Sequence, residues 1–381
     1  MISLFVLGLM LLIVFWNMYY ATHWSRNLAV SLNFMKNYVY MGDQVQMTEQ
    51  IENRKKLMIS ILEVSFHMDK SLSFRDCENT SVSDFVYKRD IFALLGHQRI
   101  IRKLTLDCKK RGYYRIDESY LTTFSMLHRQ RFSKSYPADA QLYVYAARVD
   151  VSDILVTCER LMGNIQCAKR SFEDPFAFAS IREYTVTDPM NTINWKASAR
   201  TGALMVNTFE STLTEKVMIY LDLEDSAIIK YEYLIENSIS VAASLAQALI
   251  ARGMEVGVCV NADENSKAAI IAPAGGKKQL ENIERVLAKC ESNGKDMPFA
   301  ALLAEQSDVR QKLLKQSAFD SSEDLFMIFI SKNAARNQSA IEKFVGKRQQ
   351  AIWVVPYMKN DTCGIKTPDN IRLIKREVGR S

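Results

Sequence analysis

The residues best equipped for chemistry are few and scattered. Only four histidines occur, His23, His67, His97 and His128. A Ser–His or Cys–His nucleophile pair would have to be assembled in the N-terminal half or across domains. No G-x-S-x-G elbow, G-x-x-x-x-G-K-[ST] loop or H-E-x-x-H helix is present. Gly275-Gly276-Lys277-Lys278 is glycine-rich and basic, as a phosphate loop would be. It lacks the first-glycine spacing and the Ser/Thr, so it reads as a surface turn entering a helix. The seven cysteines, Cys77, Cys108, Cys158, Cys167, Cys259, Cys290 and Cys363, are odd in number, widely spaced and without a C-x-x-C pair, which excludes the usual zinc and redox motifs. Several lie in apolar stretches such as Val256-Gly257-Val258-Cys259-Val260, where a free thiol acts as a small hydrophobe. The pattern suits a reducing compartment, and the whole set points away from an enzyme.

A denser constellation lies between residues 182 and 210. Arg182, Lys196 and Arg200 are interleaved with Glu183, Asp188 and Glu210, and Trp195 supplies a large apolar surface. Such a set performs recognition. It reads either as an ion-paired, Trp-packed seam between domains or as a docking surface for a partner, since Arg and Trp are enriched in interface hot spots.

The elements that must position these residues fall into three styles. Residues Ile2–Tyr20 carry no formal charge and are long enough to span a bilayer as a helix. Trp16, Tyr19, Tyr20 and Trp24 cluster at one end, where an aromatic belt at headgroup level is expected. No basic residue precedes the run and no small-x-small cleavage site follows it, so a retained anchor is favoured over a signal peptide. Arg26, Lys36 and Arg54-Lys55-Lys56 follow the span, which places the soluble body in the cytosol by the positive-inside tendency. The net charge of +6 is modest. It fits work near an anionic membrane surface and is no footprint of a nucleic-acid binder.

From about Leu28 to Asp150 short segments alternate apolar and polar. Val45–Ile51 alternates strictly, Ile59–Phe66 does so with one slip, and Ile100–Cys108 is a third candidate. Period-two patterning between turn residues predicts half-buried strands and a β-sandwich-like module. After Lys216 the rhythm becomes strand–helix. Apolar strands are expected at Lys216–Asp222, Met254–Val260, Ala268–Ala272, Asp324–Ser331 and Ala351–Pro356. Helices are expected at Tyr231–Arg252, Lys277–Cys290, Phe299–Lys315 and Ser339–Val345. This predicts a mainly parallel sheet covered on both faces. Ile371–Ile374 reads as an edge strand or a tail.

The segment Arg182-Glu183-Tyr184, Asp188, Ile193-Asn194-Trp195-Lys196-Ala197-Ser198-Ala199-Arg200, Leu204, Val206 and Phe209-Glu210 resembles the signature of the bacterial family called domain of unknown function 58. Gly42-Asp43, Glu52-Asn53-Arg54 and Arg111-Gly112-Tyr113-Tyr114 resemble that family's β-rich region. The chain departs from the family in showing one membrane span where many members carry a two-helix hairpin, and Thr187 where glycine is usual.

The resemblance implies an N-terminal anchor (residues 1–25), a β-rich domain (26–150), a connecting segment with the signature (151–215), and a C-terminal α/β domain like a von Willebrand factor type A domain (216–381). Such domains often bind Mg²⁺ through D-x-S-x-S after the first strand. Here the stretch is Asp222-Leu223-Glu224-Asp225-Ser226. Asp222 and Ser226 match, Glu224 replaces the middle Ser, and Ser331-Lys332-Asn333 stands where a later acid is usual. The resemblance leaves a degenerate site of Asp222, Glu224 and Ser226, with Mg²⁺ the candidate ion and a Lys at the rim opposing it. The blander reading is a solvated acidic strand end, with Asp225 or Ser226 capping the next element. The resemblance further implies a non-enzymatic scaffold that partners a MoxR-type AAA+ ATPase in protein assembly or maturation. The interaction residues would be Arg182, Tyr184, Asp188, Trp195, Lys196, Ser198, Arg200 and Glu210, with Trp195 and Arg200 bracing the rim. The alternative is a metal-dependent adhesion module facing outward.

Overall fold

A computed structural model describes residues 2–75, 80–82, 85–125, 130–168, 178–185, 188, 190–209, 215–225, 231–262, 268–290, 297–316, 325–347, 349–358 and 365–378. The chain divides into two compact units. One comprises residues 1–147 with 284–290; the other comprises 148–283 with 291–381.

The first unit begins with helix α1 (Ile2–His23) and continues as strands β1 (Leu28–Phe34), β2 (Tyr38–Tyr40), β3 (Gln44–Asn53), β4 (Ile59–Asp69), β5 (Leu72–Phe74), β6 (Thr80–Val82), β7 (Phe85–Leu94), β8 (Arg99–Cys108), β9 (Gly112–Phe124) and β10 (Arg131–Tyr145). They form two sheets, ordered β1-β3-β8-β5 and β2-β10-β9-β4-β7-β6. All pairs are antiparallel except β2 with β10. Side chains from both sheets close one core, with Leu32, Met47 and Leu106 meeting Phe66, Ile116 and Leu142. The alternation of β3 is the predicted one: Val45, Met47 and Ile51 are buried while Gln44 and Gln46 are exposed. The slip in the β4 pattern is a register shift between Ile59 and Leu62. An extra residue there carries the strand out of phase with its partner. At the Arg111-Gly112-Tyr113-Tyr114 stretch, the Tyr114 hydroxyl donates to the Lys110 carbonyl at 2.8 Å. That bond resembles the corner tyrosine of β-sandwiches.

Helix α1 is exposed along most of its apolar length, from Leu4 to Tyr19, as a helix compatible with a membrane anchor must be. Its end corrects the aromatic-belt expectation. Trp16 and Tyr19 are exposed, whereas Tyr20 and Trp24 are buried among Leu28, Ile51, Ile59, Leu62 and Leu121. The Tyr20 hydroxyl shares a hydrogen bond with Thr123 Oγ1 at 3.0 Å, and Tyr136 donates to the Ser25 carbonyl at 2.9 Å. Lys55 Nζ donates to the carbonyls of His23 and Trp24, where a cation suits the negative end of the helix dipole. Burial pushes the Lys55 ammonium down to about 8. The helix therefore enters the sandwich without a linker.

A charged layer crosses this core. Glu49 on β3 is buried, and neither carboxylate oxygen finds a donor among the described residues. Asp90 lies 2.9 Å from Arg102 and 3.7 Å from the buried Lys88. Burial, then the Asp90 charge, push the Glu49 carboxyl up to about 7, against the pull of Arg102 and Lys88.

The second unit opens with α2 (Ser152–Ala168), β11 (Phe178–Glu183), a 3-10 turn (Met190–Thr192), α3 (Trp195–Thr201) and β12 (Met205–Phe209). By sequence patterning alone this stretch is a connector. In the structure α2 buries Ile154, Leu155 and Cys158, and its Glu159 pairs with Arg252 at 3.0 Å. Beyond it lie β13 (Lys216–Leu221), α4 (Glu232–Ala251), β14 (Glu255–Val260), β15 (Ala269–Ala274), α5 (Lys277–Lys289), α6 (Phe299–Gln316), β16 (Leu325–Ile330), α7 (Ala334–Val345), β17 (Ala351–Tyr357) and β18 (Ile371–Glu377). The sheet order is β15-β14-β13-β16-β17-β18, parallel except for β15. β18 is thus an edge strand and not a tail.

The central strands are buried without a break, because helices cover both faces. Helix α4 buries a small-residue face that includes Ser238, Ala242, Ala243 and Ala246. It is long and apolar enough to cross a membrane, yet it is mostly buried, so its apolarity serves the core. On the other face Phe299, Leu302 and Ile341 meet Met218, Tyr220, Phe329 and Trp353. Gly257 lets β15 pair closely with β14: a Cβ there would stand 2.7 Å from the Ile271 carbonyl oxygen. The thiols of Cys108, Cys158 and Cys259 are each buried and pushed up to about 12 by burial, which makes them inert hydrophobes.

A carboxyl whose pKa is raised on folding favours the fold while protonated, and that contribution is lost as pH rises from about 4.5 through about 7. Glu49→Gln is therefore expected to raise stability near pH 8 by roughly 1–3 kcal/mol and to flatten the profile below it. Urea melts of the detergent-solubilised chain across this range check it; a variant less stable than wild type near pH 8 contradicts it.

Candidate functional site

Two groups of the predicted residues acquire a geometry. The first lies at the carboxyl ends of β13, β14 and β16. In a doubly wound sheet of this order, that is the crevice where the winding reverses and where ligands commonly bind. Asp222 follows β13 and is buried. Its Oδ2 accepts from Ser331 Oγ at 2.7 Å, Asn337 Nδ2 at 2.8 Å and Asn333 Nδ2 at 3.4 Å. Its Oδ1 accepts from the Glu224 amide at 2.9 Å and Asn261 Nδ2 at 3.3 Å. Asn261, just past β14, also accepts from the Leu223 amide at 2.8 Å and donates to the Met297 carbonyl at 3.1 Å. Asn333 further donates to the Glu224 carbonyl at 2.7 Å. Burial pushes the Asp222 carboxyl up, and the Ser331 hydroxyl and the Glu224 amide resist that push.

The remaining acids have their own cations. Glu224 lies 2.6 Å from Arg336 and accepts from the Phe299 amide, at the start of α6, at 3.3 Å. Asp225 and Lys332 pair at 2.9 Å, both buried. Mg²⁺ needs several free, hard oxygen ligands. Here the Asp222 lone pairs face amide and hydroxyl donors, while Arg336 and Lys332 already neutralise the neighbouring acids. The donor set at Asp222 and Glu224 does not fit the ion. Among the described residues, no group of three His, Cys, Asp or Glu side chains could hold a metal. Ser226 lies outside the described residues.

The second group is a small module. β11 and β12 pair antiparallel, Arg182 opposite Val206, and α3 sits on the connection between them. Asn194 caps α3, its Oδ1 accepting from the Ala197 amide at 3.0 Å. Its side chain also donates to Asn207 Oδ1 at 2.7 Å. Ser198 Oγ donates to the Asn194 carbonyl at 2.8 Å and accepts from the Met205 amide at 2.9 Å. Gly202 ends the helix in the left-handed conformation, φ 75°, where glycine carries no steric penalty. The loop before it is held by Arg182, whose guanidinium makes two bonds to Asp188 at 2.7 and 2.5 Å. Thr185 adds its amide and hydroxyl at 2.8 Å each. The Arg182 guanidinium, then the Thr185 amide, hold the Asp188 carboxyl well below the usual carboxylate range. The Tyr184 amide donates to the Leu204 carbonyl at 2.8 Å.

These bonds turn the helix so that Trp195, Lys196 and Arg200 are exposed. Trp195 is 69% exposed, with Met190, Leu204 and Ile181 also exposed nearby in sequence. Trp195 is thus not a core residue, and the Arg182–Asp188 ion pair lies inside the module. Glu210 lies outside the described residues. The side chains that donate to Asp222 are Asn261, Ser331, Asn333 and Asn337. Sequence reasoning misses Asn261 and Asn337. The available signal for Asn261 is a polar residue directly after an apolar strand.

Residues 180–319 match the family model described as "Protein of unknown function DUF58". No curated protein matches the chain. Among solved structures, a CARDB domain from Pyrococcus furiosus, described in complex with di-metal ions, is 11% identical, covering 30% of this chain and 93% of its own at a TM-score of 0.21. A non-cellulosomal cohesin from Archaeoglobus fulgidus is 9% identical, covering 34% of this chain and 96% of its own at a TM-score of 0.20. At these scores the likeness carries no argument.

Removing the Asp222 carboxylate strands buried amide donors. Asp222→Ala is expected to cost about 2–4 kcal/mol of stability, whereas millimolar Mg²⁺ leaves the melting temperature of the wild-type chain unchanged. Thermal melts with Mg²⁺ or a chelator measure both; a rise with Mg²⁺ that Asp222→Ala abolishes would reinstate a metal site.

Proposed function

We propose that this chain, which matches the DUF58 family model over residues 180–319, is a membrane-anchored, non-enzymatic scaffold that docks a protein partner through the β11–α3–β12 module. The carrying observation is the exposed Trp195 on a helix whose orientation is set by Asn194, Ser198 and Gly202. An exposed indole on a helix fixed at both ends, with the exposed cations Lys196 and Arg200 on the same short helix, is of the residue types that dominate interface energetics. The Asp222 network supports the non-enzymatic half of the reading: among the described residues its polar groups satisfy one another.

The partner that the family resemblance implies is a MoxR-type AAA+ ATPase acting in protein assembly or maturation. The order β15-β14-β13-β16-β17-β18 with an antiparallel edge supports reading the α/β domain as von Willebrand factor type A-like, with side-chain cations in place of Mg²⁺. The exposed α1 supports the anchor, and Arg26, Lys36 and Arg54-Lys55-Lys56 support a cytosolic body. The adhesion alternative requires an ion at Asp222, which the donor set disfavours.

Trp195→Ala is expected to leave the melting temperature within about 1 °C, because an exposed side chain contributes little to folding. It is also expected to weaken recovery of an AAA+ ATPase from solubilised membranes at least tenfold, about 1.4 kcal/mol or more. Undiminished recovery with the folded variant would sink the docking role; an unfolded variant would restore the structural one.

A further inference from the structure

The junction between α1 and the sandwich constrains where the domain sits. At 1.5 Å per residue, the stretch from Ile2 to Tyr19 is about 27 Å long as a helix, close to the thickness of a bilayer's hydrocarbon. The next turn already lies in protein, since Tyr20 and Trp24 are buried in the sandwich core. No flexible segment separates bilayer from domain. Whatever surrounds the end of α1 must therefore lie within the headgroup layer, which adds only some 5–8 Å per leaflet.

Two described loops of the first unit stand beside it, and one turn earlier Asn17 Nδ2 donates to Gln130 Oε1 at 3.3 Å. The 54–58 loop is tied there by Lys55 Nζ on the His23 and Trp24 carbonyls and by the Arg54 amide on the Asn27 carbonyl at 2.9 Å. The 95–98 turn is tied to the 54–58 loop. Asn53 Nδ2 donates to both the Leu57 and Leu95 carbonyls at 2.9 Å, and the His97 amide donates to the Lys55 carbonyl at 3.0 Å. These loops expose Leu95 (64%) and Met58 (54%). Arg26, Arg54 and Lys56 are exposed beside them. Glu52 is the nearby acid, and it is shared between Arg54 and Arg99. Apolar tips among cations that outnumber the acids suit an interfacial layer of anionic lipid, which attracts Lys and Arg near its surface.

We propose that this end of the β-sandwich is itself a lipid-binding surface, with Leu95 and Met58 dipping into the interface and Arg26 and Lys56 engaging anionic headgroups. The proposal rests on reading α1 as a transmembrane anchor. It makes the sandwich a seated base and not a tethered domain.

The test uses the full chain in vesicles of phosphatidylcholine and phosphatidylglycerol. A fluorescent amino acid is placed at Leu95 or, as a reference, at Val14 in the middle of α1. Expected are loss of Leu95 emission with headgroup-spin-labelled lipid and loss of Val14 emission with chain-labelled lipid. Leu95 emission should fall more with headgroup-labelled phosphatidylglycerol than with headgroup-labelled phosphatidylcholine, and Arg26→Glu combined with Lys56→Glu should abolish that difference and leave the Val14 result unchanged. If Val14 is quenched and Leu95 is not, the lipid surface is overturned while the anchor stands. If neither is quenched, the anchor reading and the proposal fall together. No preference of the Leu95 probe for labelled phosphatidylglycerol, or a preference that the charge-reversed variant keeps, overturns the assignment to anionic headgroups.

Discussion

A buried carboxylate must be satisfied, and in the α/β unit that requirement falls on Asp222. It sits at the end of the central strand, out of contact with water, with no cation of its own. Five donors from four different segments converge on it: the turn after β13, Asn261 after β14, Ser331 and Asn333 after β16, and Asn337 in α7. Each donor fixes a backbone segment, so the network orders the whole carboxyl edge of the sheet. The flanking pairs, Glu224 with Arg336 and Asp225 with Lys332, complete the neutralisation with side chains. At the strand ends where a ligand commonly binds in such a sheet, the described polar groups bond to one another.

The first unit solves a different problem. Its core is split by the charged layer of Glu49, Lys88, Asp90 and Arg102 between two apolar clusters. One cluster receives the end of α1 through Tyr20 and Trp24. Two of the aromatic residues expected to mark a membrane boundary, Tyr20 and Trp24, instead carry the helix into the fold. Lys55 seals the join by binding the carbonyls that the helix leaves unpaired.

Legibility in the sequence varies with how local the determinants are. The strands β3 and β13 and the helix α4 are readable because period-two alternation, an unbroken apolar run and a small-residue face are local signals. Helix α7 looks too short in the sequence, starting only at Ser339. Its first turn holds Arg336 and the buried Asn337, which break the apolar periodicity because they face the Asp222 network. Helix α2 escapes sequence reading because its buried Ile154, Leu155 and Cys158 share the segment with charged residues. Lys332 is legible as an obstacle to a cation. Its partner Asp225 looks like a helix cap in the sequence, because a partner more than a hundred residues away leaves no local trace.

Local patterning was enough to assign the class of each segment: an uncharged helix long enough for a bilayer, an alternating β region, an α/β region, and between them a signature of interleaved charges around Trp195. Tertiary structure alone decided which polar residues meet. That Asp222 is saturated by donors far apart in sequence, that Tyr20 turns inward while Tyr19 does not, and that Trp195 faces water are facts of packing. Hydrogen bonds and burial depend on three-dimensional neighbours, and composition or spacing along a chain carries no record of them.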